Sequence, residues 1–207
     1  TGEAALLTTE ERKQVAQRVV DVTNGRVPVF IQVGSCVTSE AVELAEHAVA
    51  IGADGIAAVT PYYFRLSQKA LMDYFARIIQ AIPQDYPFYL YNIPGCTGND
   101  LLPSSVEILA KQYPNILGIK NSMPDLIRDQ EYLQCRDDFS VVLGNDQLIA
   151  SGVYVGCDGA VSGNAQVVPE LFVQLYAALA NKEWEKGVTL QRQASLVADL
   201  LQNGGNL

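Results

Sequence analysis

The chain alternates short, β-branched apolar runs with longer amphipathic stretches, and Gly, Pro, Asn or Asp stands at most junctions, which is how consecutive βα units read. Parallel strands follow, because the helix between two strands returns the chain to the same end of the sheet. Strands are expected over residues 27–33, 55–60, 88–93, 116–120, 139–143 and 160–162. Helices are expected over 9–24, 38–51, 67–82, 103–112, 124–135 and 147–154, then over 169–180 and 184–202. Thr8 and Glu11 have capping-box spacing, in which the hydroxyl takes an amide of the first turn and the carboxylate reaches back. The six strands are nearly continuous apolar runs, which implies burial on both faces, as in an α/β barrel or a doubly wound sheet.

Six strands are two short of a closed (β/α)8 TIM barrel. The chain opens on Thr1-Gly2-Glu3 with no strand before it and ends on Asn203-Gly204-Gly205-Asn206-Leu207 with no evident cap. The expectation is an internal piece of a longer protein, with residues 1–181 forming the partial barrel and 182–207 starting a C-terminal helical extension.

Composition narrows the function. At 207 residues, 49% hydrophobic and 18% charged, the chain can bury a substantial core and is not disordered. Its 14 basic and 23 acidic residues, net −9, would repel nucleic-acid phosphates and anionic lipid, so a small-molecule enzyme or a protein binder is expected. Cys36, Cys96, Cys135 and Cys157 are widely spaced, without a CxxC pair, and a reducing cytoplasm fits them. No apolar run approaches the ~20 residues that span a bilayer, so no membrane role is expected. The single histidine, His47, leaves a serine triad or a histidine metal site without its usual parts, and neither GxGxxG nor a phosphate-binding P-loop occurs.

Lys120 ends the otherwise apolar run Ile116-Leu117-Gly118-Ile119-Lys120. Strand C-termini form the active-site face of a barrel, and desolvation there favours the neutral amine that attacks a carbonyl. Taken alone, the residue reads equally well as a strand-end lysine reaching for water. Tyr91 ends the preceding strand, in Tyr91-Asn92-Ile93-Pro94-Gly95-Cys96-Thr97-Gly98, where a phenol serves as a proton carrier or as a buried tyrosine with a satisfied hydroxyl. Pro61-Tyr62-Tyr63, Gly144-Asn145-Asp146-Gln147 and the loop 159–164 close other strands, and each reads as turn or site. Asp146 and Gln147 could hold sugar hydroxyls.

Together these segments resemble the N-acetylneuraminate lyase and dihydrodipicolinate synthase superfamily. The matching signatures are Thr1-Gly2-Glu3 as the tail of a GTTGE or GSTGE motif, Val59-Thr60-Pro61-Tyr62-Tyr63, Tyr91-Asn92-Ile93-Pro94 and Gly118-Ile119-Lys120, in the same order and spacing. The resemblance covers essentially the whole chain. It implies a (β/α)8 barrel whose first strand, first helix and second strand, with part of the C-terminal helices, are absent here. It further implies Lys120 as the Schiff-base amine, Tyr91 as general acid and base, and Thr1 as a contact to the pyruvate carboxylate and proton relay. Tyr63 would pass into a neighbouring subunit's site, and the backbone of Val161 would touch pyruvate. Gly2, Thr97, Asp146, Gln147 and Ser162 complete the expected substrate-binding set.

Family members are usually tetramers built as pairs of dimers, and no metal or organic cofactor is expected, since the protonated imine is itself the electron sink. In the synthases the position of Cys96 is normally an arginine gripping the carboxylate of aspartate semialdehyde, a contact a thiol does not make. The lyases keep Asp-Glu where this chain has Asp146-Gln147. The expected activity is therefore an aldol lyase acting on a 2-keto-3-deoxy sugar acid or a sialic-acid-like compound. The synthase reaction and a non-catalytic keto-acid-binding protein are the alternatives.

Overall fold

The computed structural model describes residues 2–203. Its framework is a sheet of six parallel strands, each paired with the next in the chain: β1 (Phe30–Gln32), β2 (Gly55–Val59), β3 (Phe88–Asn92), β4 (Ile116–Asn121), β5 (Ser140–Leu143) and β6 (Gly159–Ala160). Sequential pairing is the barrel order; a doubly wound sheet reverses its strand order at a switch point. Among the described residues β1 and β6 do not pair with each other, so the sheet is an open barrel segment.

The helices are α1 (Thr9–Thr23), α2 (Thr38–Ala50), α3 (Gln68–Ile79), α4 (Pro94–Thr97), α5 (Pro103–Gln112), α6 (Leu126–Leu133), α7 (Ile149–Val155), α8 (Pro169–Ala180) and α9 (Trp184–Asn203). Helix starts follow local chemistry. Thr8 and Glu11 close the expected capping box on α1, and Asn24 ends that helix in the left-handed conformation at φ 46°. Ser67 caps α3, Asp125 caps α6 through the amides of Ile127 and Arg128, and proline opens α4, α5 and α8.

Ile56, Leu90, Ile116, Ile119 and Val141 of the sheet pack, with no exposure, against Leu71, Phe75, Ile78 and Val106 of α3 and α5. A second cluster joins Ile149, Phe172, Leu175, Leu179, Leu190 and Ala194 across α7, α8 and α9.

Three expectations are corrected. The strand expected over 27–33 shrinks to Phe30–Gln32, because Pro28 has no amide to give and the Val29 amide goes to Asp54 Oδ2 at 2.7 Å. The strand expected over 160–162 ends at Ala160 and starts at Gly159, since the Ser162 hydroxyl turns to Asp146 at 2.8 Å. Burial on both faces does not hold among the described residues: Phe30 is 42% and Val161 52% exposed, because the core lies between the sheet and the helices on its other face.

Candidate active site

Strand alternation decides what reaches the inner face. In the β3–β4 register Tyr91 is opposite Lys120, Leu90 opposite Ile119, and Asn92 opposite Asn121. Leu90 and Ile119 are fully buried against the helices, so Tyr91 and Lys120 emerge together on the inner face and the asparagines behind it. Register partners on adjacent strands lie ~5 Å apart. The Lys120 side chain accordingly bends over its neighbour, and Nζ sits 4.0 Å from the centre of the Tyr91 ring. That distance brings a cation onto the negative face of a phenol, an attraction of about 0.5–2 kcal/mol.

Two adjoining cavities, ≈ 390 and ≈ 410 Å³, share Phe30, Gln32, Tyr91 and Lys120. The first is completed by Ala57, Tyr89, Val142 and Val161 of the inner face. The second runs towards Gly2, Glu3 and Arg12 at the start of the chain. Phe30 and Tyr89 meet edge to face at 5.6 Å in the first cavity. Arg12, half-buried, is clamped by Nη2 donating to the Gln32 and Gly34 carbonyls at 3.0 and 3.1 Å. Burial pulls its guanidinium below the usual arginine range, opposed by nearby Tyr62, Tyr74 and Glu40. The cavities therefore offer two basic side chains, Lys120 and Arg12, an apolar wall and two phenols, Tyr89 and Tyr91.

The expected residues divide. Lys120, Tyr91, Gly2 and Val161 line the cavities, and the Val161 amide is spent on the Leu143 carbonyl at 2.8 Å. Thr1 lies outside the described residues. Asp146 and Ser162 are joined to each other, and Asn164 Nδ2 also donates to Asp146 Oδ2 at 2.7 Å, so the carboxylate braces the loops after β5 and β6. Gln147 turns away, its Nε2 donating to Asp199 of α9 at 2.7 Å. Thr97 is buried, with its hydroxyl among Thr60, the Ile93 and Asn99 carbonyls and the Asn99 amide. Tyr63 is 86% exposed at φ 78°, a conformation uncommon for a residue with a β-carbon, and its ring meets Phe64 edge to face at 4.9 Å.

Sequence reading missed Arg12, Gln32, Tyr89 and Ser122, and met Gly144 only as part of the 144–147 turn. Tyr89 was findable, since it stands two residues before Tyr91 on one strand and shares its face. Gln32, a polar residue in an apolar run, was a weaker signal. Gly144 faces the lysine closely: a β-carbon there would overlap the Ser122 hydroxyl and come within 3.0 Å of Lys120 Cε. That constraint exists only between β4 and the end of β5.

Residues 1–207 match the dihydrodipicolinate synthetase family along their whole length. A probable 2-dehydro-3-deoxy-D-pentonate aldolase of Escherichia coli K12 is 40% identical over 205 residues, 97% of this chain and 65% of that protein. A 4-hydroxy-tetrahydrodipicolinate synthase of Stutzerimonas stutzeri A1501 is 44% identical over 179 residues, 86% of this chain and 60% of that protein. Among solved structures, a prophage protein of the dihydrodipicolinic acid synthase family from E. coli K12, in complex with pyruvate, superposes with a TM-score of 0.92 at 32% identity. The match covers 97% of this chain and 68% of that one. The chloride-inhibited dihydrodipicolinate synthase of Acinetobacter baumannii, complexed with pyruvate, gives 0.89 at 33% identity over the same shares. The chain spans less than two thirds of the length of these two curated relatives.

Proposed function

The chain belongs to the dihydrodipicolinate synthetase family, and from that premise we propose that the intact protein is a Schiff-base aldolase joining pyruvate and an aldehyde, or cleaving their adduct. One observation carries the reading: Lys120 Nζ stands 4.0 Å over the Tyr91 ring, in a cavity that also holds Arg12. The neutral amine of Lys120 attacks the C2 ketone of the substrate, and the carbinolamine loses water to give a protonated imine. Breaking the C3–C4 bond sends its electron pair into the imine as an enamine, while the C4 hydroxyl gives up its proton and leaves as the aldehyde. Protonation of C3 and hydrolysis then release pyruvate and the free lysine. Tyr91 carries protons in these steps, and the cationic side of the cavity receives the keto-acid carboxylate.

We assign the substrate as a 2-keto-3-deoxy sugar acid or a sialic-acid-like compound. The 40% identity to a probable 2-dehydro-3-deoxy-D-pentonate aldolase supports this, as does the exposed thiol of Cys96 at the position where the resemblance implies an arginine in the synthases. The second reading, 4-hydroxy-tetrahydrodipicolinate synthase, is favoured by the 44% identity to such an enzyme. In either reading the whole protein closes a (β/α)8 barrel, residues 1–181 contributing six strands and 182–207 beginning the helical extension, and works as a cytoplasmic homotetramer in which Tyr63 reaches a neighbour's site. No helix among the described residues is long and apolar enough to cross a membrane.

The test uses the full-length protein. With pyruvate and borohydride, peptide mass spectrometry is expected to find the reduced adduct on Lys120; an adduct on another lysine, or none, refutes the reading. Pyruvate release from a panel of 2-keto-3-deoxy acids is expected to exceed condensation of pyruvate with aspartate semialdehyde, and the reverse order selects the synthase.

Gly144 supplies a separate prediction. Gly144→Val pushes branched carbons onto the Ser122 hydroxyl and Lys120 Cε, and a misplacement near 1 Å costs about 10²-fold in rate. Adduct formation is expected to slow by that order, and Ser122→Gly in the same chain to recover part of it. Trapping at the parent rate would show that the lysine tolerates the crowding.

A further inference from the structure

Directly behind Lys120 and Tyr91, on the outer face of the sheet, lies a buried polar chain that the chemistry above does not use. Asn92, Asn121 and Asp129 are each 0 or 1% exposed. Asn92 Nδ2 donates to Asn121 Oδ1 at 3.2 Å and to Asp100 Oδ1 at 3.1 Å, and Asn92 Oδ1 accepts from the Leu101 amide at 3.0 Å. Asn121 Oδ1 also accepts from the Met123 amide at 3.2 Å, while its Nδ2 donates to Asp129 Oδ1 at 2.8 Å. Arg128 Nη1 holds both oxygens of Asp100 at 3.0 Å, and the Tyr132 hydroxyl donates to the Leu101 carbonyl. The backbone is stitched at the same places, Ser122 to the Asn92 carbonyl at 2.8 Å and Gly144 to that of Asn121 at 2.7 Å.

Polar groups in a core cost about 1–3 kcal/mol each unless bonded, and apolar residues of equal size would fill the space at less cost. Asp129 sharpens the point. Its Oδ2 is the one buried side-chain nitrogen or oxygen without a partner among the described residues. Burial holds its carboxyl above the usual range, opposed by the Asn121 bond and assisted by nearby Asp125. What the chain provides is direction: Asn92 and Asn121 directly follow Tyr91 and Lys120, and their hydrogen bond joins partners of the same register that sets the amine over the ring.

We propose that Asn92, Asn121 and Asp129 are positioning residues, an amide–amide–acid clamp that fixes the C-terminal ends of β3 and β4 from behind and so keeps Lys120 over Tyr91. The inference rests on the reading of Lys120 as the imine-forming amine. Asn121→Asp sets two acids face to face and removes a donor. Adding Asp129→Asn turns the pair around: the amide now stands on α6 and donates to the carboxylate on β4, while Asn92 and Met123 keep their acceptor. Asn121→Leu with Asp129→Leu keeps the core filled but removes the direction.

In the full-length protein, the rate of borohydride-trapped pyruvate adduct on Lys120 and the separate kcat and KM are measured beside thermal melting. Asn121→Asp is expected to lose about 10²-fold, mainly in kcat, and the reversed pair to return to within about tenfold of the parent, since contacting residues couple strongly. The double leucine variant is expected to melt no lower than the parent and still react about 10²-fold more slowly. A parent-like rate in the double leucine variant, or no recovery in the reversed pair, overturns the clamp alone. Absence of any Lys120 adduct in the parent overturns the aldolase reading and the clamp with it.

Discussion

Lys120→Arg in the full-length protein is expected to abolish the borohydride-trapped pyruvate adduct and to lower turnover by on the order of 10⁴-fold or more, since losing the nucleophile of a covalent enzyme costs up to about 10⁶-fold. Arginine is the informative replacement. Its guanidinium keeps a positive charge over the Tyr91 ring, where Lys120 Nζ now stands at 4.0 Å, but stays protonated and has no free electron pair to attack a carbonyl. Charge, stacking and the Arg12 side of the cavity are thus retained while imine chemistry is removed. Lys120→Met is expected to be equally dead and to lose the ring contact as well. Turnover within tenfold of the parent in the arginine variant would mean that the cation binds substrate and forms no bond to it.

Tyr91→Phe is expected to lower turnover by about 10²–10⁴-fold, the range associated with a positioned acid or base. The phenyl ring keeps the face on which Lys120 rests, so only the hydroxyl is tested. The adduct should still form on Lys120, more slowly, because the imine that borohydride reduces needs proton transfer to lose water, and solvent can supply it less efficiently than the positioned phenol. Tyr91→Leu removes ring and hydroxyl together. A parent-like phenylalanine variant beside an impaired leucine variant would assign Tyr91 to holding the lysine, and the proton carrier would have to be sought elsewhere along the cavity.

Several elements were legible because short-range chemistry determines them. The Thr8–Glu11 capping box, the Asn24 stop and the proline starts of α5 and α8 depend on neighbours within four residues. The apolar runs of β2 to β5 were legible for the same reason. Other features were misread because a distant residue decides them. Asp54 takes the Val29 amide and shortens β1, and Asp146 draws Ser162 out of β6. Asp146 accepts from Ser162 and Asn164, and Gln147 donates to Asp199 of α9, contacts set by residues at least 16 positions away.

By itself the sequence determined the βα alternation, the six strands and the two residues, Lys120 and Tyr91, that stand near the C-terminal ends of adjacent ones. Hydrophobic period, caps and strand-end polarity are written within a few residues and need no partner to be read. The tertiary structure alone decided that the amine lies over the ring, that Arg12 joins the cavity, that Gly144 leaves room for the lysine stem, and that Asn92 bonds Asn121 behind them. Each of these depends on residues far apart in the chain, and a slip of one residue in β3 or β4 would send that strand's functional side chain into the helical core.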